Sequence, residues 1–274
     1  MNCPRLIVFS DLDGTLLDHE TYRFDAAQPA LELLDRNGIP LILNSSKTRA
    51  EIAAIREQLQ NTAPFIIENG AAVIIPPGWF GHHTEKHILF SRPLNEIRHW
   101  LDAVRDKHHY AFTGFQDMRI DELMTHTGLS RTHAELAMQR IGTEPLLWQD
   151  SDAALAQFQQ EVENAGLQWV QGGRFIHIMG RFDKADAMHY LITQFRQHHP
   201  DQDVVSIALG DSPNDTRMLQ LADYAVVIKG VNSEAVHLHK SPGREMRSRE
   251  PGPQGWNQCL SALIPALLDP TVNT

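Results

Sequence analysis

Residues 6–18 read LIVFSDLDGTLLD. The apolar run Leu6–Phe9 stops short of Asp11, and Asp13, Gly14 and Thr15 follow directly. A short continuous apolar run closed by polar residues is the pattern of a strand buried on both faces, as in a parallel sheet. This one delivers two carboxylates and a hydroxyl to one strand exit. Carboxylates that close repel each other, so a positive charge lies between them or one keeps its proton.

The pattern returns twice. In IPLILNSSK (39–47) a buried strand, Ile39–Leu43, ends in Ser45, Ser46 and Lys47. In VVSIALGDSPND (204–215) another ends in Asp211, Asn214 and Asp215, and YAVVI (224–228) adds a further strand. Helices are expected between them. One runs from Pro29 to Asn37 with Gly38 at its end, and one follows TRAE (48–51), a capping box of Thr48 and Glu51. A third covers 184–197, with Met188, Leu191, Ile192 and Phe195 at helical spacing. Strand–helix alternation predicts an α/β fold, a parallel sheet with helices on both faces.

FIIENGAAVII (65–75) is two apolar runs around Asn69-Gly70, a hairpin signal. The rhythm then changes. Helices are expected at 94–107, 119–127, 130–140 and 152–165, and strands at 110–115, 145–148, 167–171 and 174–179, with Gly172-Gly173 turning the last pair. Strands and helices there are segregated, the mark of a separate α+β unit. The sheet domain is therefore built from residues 1–84 and 182–274, with residues 85–181 inserted. KSPGREMRSREPGPQG (240–255) reads as a loop, and the helix behind it as interrupted or ended near Pro265.

Composition excludes several classes. The chain has 274 residues, 42% apolar and 21% charged, an ordinary globular balance. A formal charge of −10 argues against a nucleic-acid binder, while a local pocket can still oppose the net sign and take a phosphorylated small molecule. The two cysteines, Cys3 and Cys259, form no CxxC and support neither a disulfide framework nor a zinc site. The first apolar run is too short for a signal peptide, and no stretch suits a bilayer, so a soluble cytoplasmic protein without membrane partners is expected.

In open α/β sheets ligands bind beyond the carboxyl ends of the strands, so the three polar clusters are expected to meet. Asp11, Asp13, Asp211 and Asp215 would then form a hard, all-oxygen set that suits Mg²⁺. A divalent ion beside a free carboxylate suggests phosphoryl transfer. Asp11, first beyond the strand, is placed as nucleophile, and Asp13 as general acid and then base. Ser45, Asn214 and the backbone at the start of Thr48's helix are assigned to phosphate oxygens, Lys47 to the substrate, and Lys184 to the charge of the phosphoryl group. Asp-x-Asp-Gly alone is as readily a turn, Ser46 and Thr48 serve as helix caps, and the fifteen histidines read as surface residues. The conjunction of three strand ends carries the assignment.

DLDGTLL (11–17), the strand ending at Ser45, Lys184 and GDSPND (210–215) resemble the four motifs of haloacid-dehalogenase-like phosphatases. The resemblance implies a Rossmann-like core with a cap domain inserted between the second and third motifs. SSKTRAEI (45–52), AELAMQR…EPLLW (134–148) and GGRFIHIMG (172–180) resemble the mannosyl-3-phosphoglycerate phosphatase family, although Ala185 and Asp186 after Lys184 depart from its pattern. The resemblance implies that Asp11 is nucleophile and metal ligand and that Asp13 also offers its carbonyl to Mg²⁺. Ser45 and Lys184 would hold the phosphoryl group, and Asp211 would ligate the metal with Asp215 in support. A mannosyl-phosphoglycerate substrate would need a cation for its carboxylate, for which Arg140, Arg174 and Arg181 are candidates. Another sugar-phosphate phosphatase, a phosphomutase and a non-catalytic phospho-acceptor or sensor remain open alternatives.

Overall fold

The computed structural model describes residues 4–172, 174–241 and 243–269. In chain order the first elements are β1 (Arg5–Ser10), α1 (Gln28–Arg36), β2 (Leu41–Leu43), α2 (Arg49–Gln58), β3 (Phe65–Ile67), β4 (Ala72–Ile75) and β5 (Lys86–Leu89). Then come α3 (Leu94–His108), β6 (Phe112–Gly114), α4 (Ile120–Thr127), α5 (Arg131–Ala137), β7 (Thr143–Trp148), α6 (Asp152–Asn164), β8 (Leu167–Gly172) and β9 (Phe175–Gly180). The chain closes with α7 (Lys184–His198), β10 (Val204–Gly210), α8 (Thr216–Leu221), β11 (Tyr224–Lys229), β12 (Glu245–Pro251) and α9 (Gly252–Leu268).

The central sheet is parallel, in the order β12-β11-β10-β1-β2. β1 lies inside it and buries side chains on both faces. Leu6 and Val8 join Leu43, Ile207, Trp256 and Leu260 on one side, while Ile7 and Phe9 join Met188, Leu191, Phe195 and Met218 on the other. That two-sided burial is why β1 reads as an unbroken apolar run, each such side chain contributing roughly 1.5–3 kcal/mol. A parallel bridge from Asn44 to Ile66 carries the sheet edge toward the antiparallel set β3-β4-β5. The antiparallel sheet β6-β7-β9-β8 has its own apolar core against α3 and α6, built on Leu101, Leu146, Phe158 and Ile178. α4 and α5 cover part of its other face through Phe115, Leu123 and Phe175. Among the described residues no helix is long and apolar enough to cross a membrane.

Three local expectations change. Residues 245–251, read as loop, form edge strand β12 beside β11. An edge strand pairs through its backbone and leaves its side chains to solvent, so polar composition gives no strand signal. α9 begins at Gly252 and runs through Pro265. Ser261, whose carbonyl loses its helical partner to that proline, is exposed and can turn to water. The hairpin at Asn69-Gly70 forms, but Ile67 pairs with Ala72, so the reversal takes all of 68–71. Glu68, Asn69 and Gly70 have φ of 48°, 59° and 99°. The turn between β8 and β9 includes Gly173, outside the described residues.

Gly70 is held by its surroundings as well as by its φ: a Cβ there would lie 2.1 Å from the Asp183 carbonyl oxygen. Gly38 has φ of 61° but nothing within 4 Å of a Cβ. Gly38→Ala is therefore expected to cost about 1 kcal/mol from backbone strain alone, and Gly70→Ala about 3 kcal/mol or more, as read by urea unfolding.

Candidate active site

β1 ends with Ser10, whose hydroxyl donates to the Asp11 carbonyl at 2.7 Å. Trp256 of α9, fully buried, donates its Nε1–H to that same hydroxyl oxygen at 3.0 Å. The strand exit is thus braced from behind. Gly14, with φ of 78°, then turns the chain back, and its N–H reaches the Leu17 carbonyl at 2.9 Å. The turn brings Thr15 Oγ1 to 3.4 Å from both Asp11 Oδ2 and Asp211 Oδ1. A Cβ on Gly14 or Gly230 would come within 2.7 or 2.8 Å of Asp211 Oδ2, so both glycines make room for that carboxylate.

Lys184 enters from the first turn of α7. Its Nζ donates to Asp11 Oδ1 at 2.5 Å and to Asp215 Oδ1 at 2.7 Å, with 1% of the side chain exposed. Asp183 caps α7, accepting from the N–H groups of Ala185 at 2.8 Å and Asp186 at 3.2 Å, and Asp186 accepts from the Asp183 N–H at 2.9 Å. Ala185 and Asp186 are thus parts of a capping box that fixes where Lys184 starts. Burial alone lowers the pKa of the ammonium, but the charges and hydrogen bonds of Asp11 and Asp215 more than offset it, and the net shift is upward.

Asp215 is fully buried, and its other oxygen accepts from the N–H groups of Asp211 and Ser212, each at 3.2 Å. Burial raises its pKa to about 6 against the opposing pull of Lys184. Asp211 rises to about 7, through burial first and then the charges of Asp11 and Asp215. Oxygens of Asp11, Asp211 and Asp215 lie within 4.8 Å of one another, an arrangement that can hold a metal ion. Lys47 Nζ stands 2.9 Å from Asp13 Oδ1 as an ion-pair contact, and 5.2 Å from the centre of the Tyr22 ring. Burial pulls the Lys47 pKa down, and Asp13, Glu51 and the contact itself return it above its ordinary value.

Ser45 is buried at the end of β2, its N–H donating to Ile66 and its Oγ accepting from the Lys47 N–H at 3.2 Å. Asn214 is exposed and accepts from Ser212 Oγ at 2.5 Å, which places it at the rim of the 211–215 loop. The side chain of Arg140 is almost wholly buried, 4% exposed, and donates to Thr143 O, to Thr143 Oγ1 and, at 2.9 Å, to Ser46 O. It joins the α5–β7 connection to the residue after Ser45. Arg181 donates to the Glu163 carbonyl at the end of α6, and Arg174 lies exposed at the opposite end of β9 from Gly180. The strand-end residues Asp11, Ser45, Asp211 and Asp215 and their neighbours Asp13, Lys47 and Lys184 are therefore brought together, with Arg140 adjoining. Thr15 links two of the acids, and Glu68, buried beside Ser45, has no sequence signal beyond its place before Asn69-Gly70. His177 departs from the reading of the histidines as surface residues: it is only partly exposed, and burial, then the Arg140 charge, lower its pKa to about 3.

A family model described as haloacid dehalogenase-like hydrolase matches residues 8–238. The chain belongs to the haloacid dehalogenase-like hydrolases. Similar solved structures share its fold over nearly the whole length. One is the sucrose-phosphatase of Synechocystis sp. PCC6803, in complex with sucrose and phosphate, with 16% identity, coverage of 94% and 98% of the two chains and a TM-score of 0.58. Another is BT1666 of Bacteroides thetaiotaomicron, described among phosphatases of this superfamily, with 15% identity, 96% and 95% coverage and a TM-score of 0.66. TM0651 of Thermotoga maritima gives 17% identity, 95% and 97% coverage and a TM-score of 0.66. The α/β core with its strand-end aspartates is thus the frame of a haloacid dehalogenase-like hydrolase.

The raised carboxyl groups give a stability signature to this hydrolase in the absence of metal. A folded-state pKa above the ordinary 3.8 favours the folded protein below that value, and the benefit is lost as pH rises through about 6 for Asp215 and about 7 for Asp211. Between pH 4 and pH 8 in chelator, wild type is expected to lose roughly 2–4 kcal/mol relative to Asp211→Asn in urea unfolding, because the amide has no proton to release. Equal slopes for the two proteins would contradict the half-buried, repelled carboxyl group at 211.

Proposed function

We propose that this hydrolase is a Mg²⁺-dependent phosphomonoesterase that works through an aspartyl phosphate on Asp11. The observation that carries the reading is the asymmetry of Asp11. One carboxylate oxygen is held by Lys184 at 2.5 Å, while the other, among the described residues, is met at 3.4 Å by Thr15, beyond an ordinary O–H···O bond. That second oxygen keeps its lone pairs for phosphorus.

The donor set fits the metal. Asp11, Asp211 and Asp215 are three carboxylates around the one ammonium group of Lys184, a shortfall of positive charge that one divalent cation makes up. Asp11, Asp211 and Asp215, with the Asp13 carbonyl, would hold it, and when bound it supplies charge neutralisation for phosphoryl oxygens. The chain's own groups do the rest. Asp11 Oδ2 attacks phosphorus in line, forming the Asp–O–P bond as the bond to the substrate oxygen breaks, and Asp13 gives its proton to that oxygen. Lys184 has a third N–H to offer a phosphoryl oxygen, and Ser45 a hydroxyl proton. Water then attacks phosphorus, Asp13 takes its proton, and Asp11 is regenerated.

Residues 85–181, the unit inserted in the chain, serve as the cap that reads the leaving group. Lys47, a cation beside Asp13, favours an anionic leaving group. Together with the stretches 45–52, 134–148 and 172–180 it favours mannosyl-3-phosphoglycerate, with mannosylglycerate and phosphate as products. Phosphate release from a panel of sugar and glycosyl-glycerate phosphates tests the reading. Activity is expected with Mg²⁺, lost in chelator, and reduced about 10³-fold or more in Asp11→Asn. In ¹⁸O-labelled water the released phosphate is expected to carry label; a phosphomutase would return unlabelled phosphate to the substrate. Full turnover by Asp11→Asn would overturn the proposal.

A further inference from the structure

Glu68 is a carboxylate with no solvent exposure and no place in the chemistry above. Its partners lie far along the chain, at the start of β7. Oε1 accepts from the Ile141 N–H at 2.8 Å, and Oε2 accepts from Gly142 N–H at 3.1 Å, Thr143 N–H at 3.0 Å and Thr143 Oγ1 at 2.9 Å. Three successive backbone N–H groups and a hydroxyl converge on one side chain, with Arg140 Nε at 3.7 Å. The seat is tight: a Cβ on Gly142 would fall 2.6 Å from Ser91 and 2.8 Å from Ala71.

The backbone of the same turn grips the phosphate loop. Glu68 N–H donates to Lys47 O and Asn69 N–H to Ser45 O, each at 2.9 Å. On its far side Gly70 presses on the Asp183 carbonyl, one residue before Lys184. Glu68 therefore touches the inserted unit through its side chain while its own peptide unit sets Ser45–Lys47. It keeps this place at φ of 48°, an uncommon conformation for a glutamate, which the partners on both sides over-determine.

We propose that Glu68 is a positioning residue, the pin on which residues 141–143 of the cap are seated and through which that seat fixes the Ser45–Lys47 loop. A buried carboxylate stripped of its donors is far costlier than one that keeps them. The cap is therefore anchored at this seat, and the Ser45–Lys47 loop is held through the same residue. This inference rests on the phosphatase reading for its kinetic consequence, but not for its structural one.

The test uses Glu68→Gln, which places an amide N–H₂ where only acceptors fit, and Thr143→Val, which removes one donor and leaves Glu68 in place. Amide hydrogen exchange is measured at residues 45–48 and 141–143 in the full-length protein. Faster exchange at both segments in both variants is expected, with Thr143→Val the milder. Faster exchange at 141–143 with 45–48 unchanged would overturn the proposal. On a substrate that wild type turns over, Glu68→Gln is expected to lower kcat about 10²-fold with KM changed much less, at a temperature where circular dichroism shows both proteins folded. An unchanged kcat would equally overturn it. If wild type hydrolyses no phosphate ester the functional reading fails, while the exchange result still decides the role of Glu68.

Discussion

Lys184 is held between Asp11 and Asp215, and the rest of the site is arranged around that contact. A buried ammonium is tolerated only when paired and hydrogen-bonded, and so are the two carboxylates it serves. The elements near it meet that requirement. Asp183 and Asp186 start α7 at the right residue, Gly70 lets the neighbouring turn close onto it, and Asn44 donates to its carbonyl at 3.1 Å. Behind Asp11, Ser10 and Trp256 carry the brace through to α9, the last helix among the described residues. The two ends of the sequence and a residue past the insert are therefore all required for one ion-pair cluster.

That cluster is not arranged for stability. Burial, and then the charges of Asp11 and Asp215, drive Asp211 well above the ordinary carboxyl range, and the one lysine among these three acids does not balance them. Natural proteins accept such local conflict where chemistry needs it and offset it in the surrounding packing. Here the offset is the two-sided apolar burial of β1 and β10, whose neighbours are fully enclosed. The inserted unit meets this frame through an apolar patch of Ala71, Met179 and Phe182 and through polar contacts to backbone: Arg140 to Ser46, Thr48 Oγ1 to the Leu136 carbonyl, and Glu68 to residues 141–143. Each depends on the exact path of a loop beside Ser45.

Much of this was legible in the chain. Apolar runs that stop at Asp11, Ser45 and Asp211 mark parallel strands because a strand buried on both faces has no polar side, and the capping box at Thr48 is present as read. The helices and strands between 94 and 180 follow their periodicity to within a few residues. Edge strand β12 escaped because backbone pairing at a sheet edge asks nothing of the side chains. The helix through Pro265 escaped because its cost depends on whether Ser261 faces water. Arg181, a candidate for the substrate, is tied to the end of α6, a contact between residues far apart in sequence.

By itself, the sequence determined the α/β alternation, the segregated insert and the acids that end the strands, since each is written in local residue order. Only the tertiary structure decided which cations sit beside which acids, that Arg140 is nearly enclosed at Ser46, and that Glu68 is buried among the amides of a distant segment. Partners of that kind are chosen by distance in space, and a side chain carries no local mark of what will pack against it.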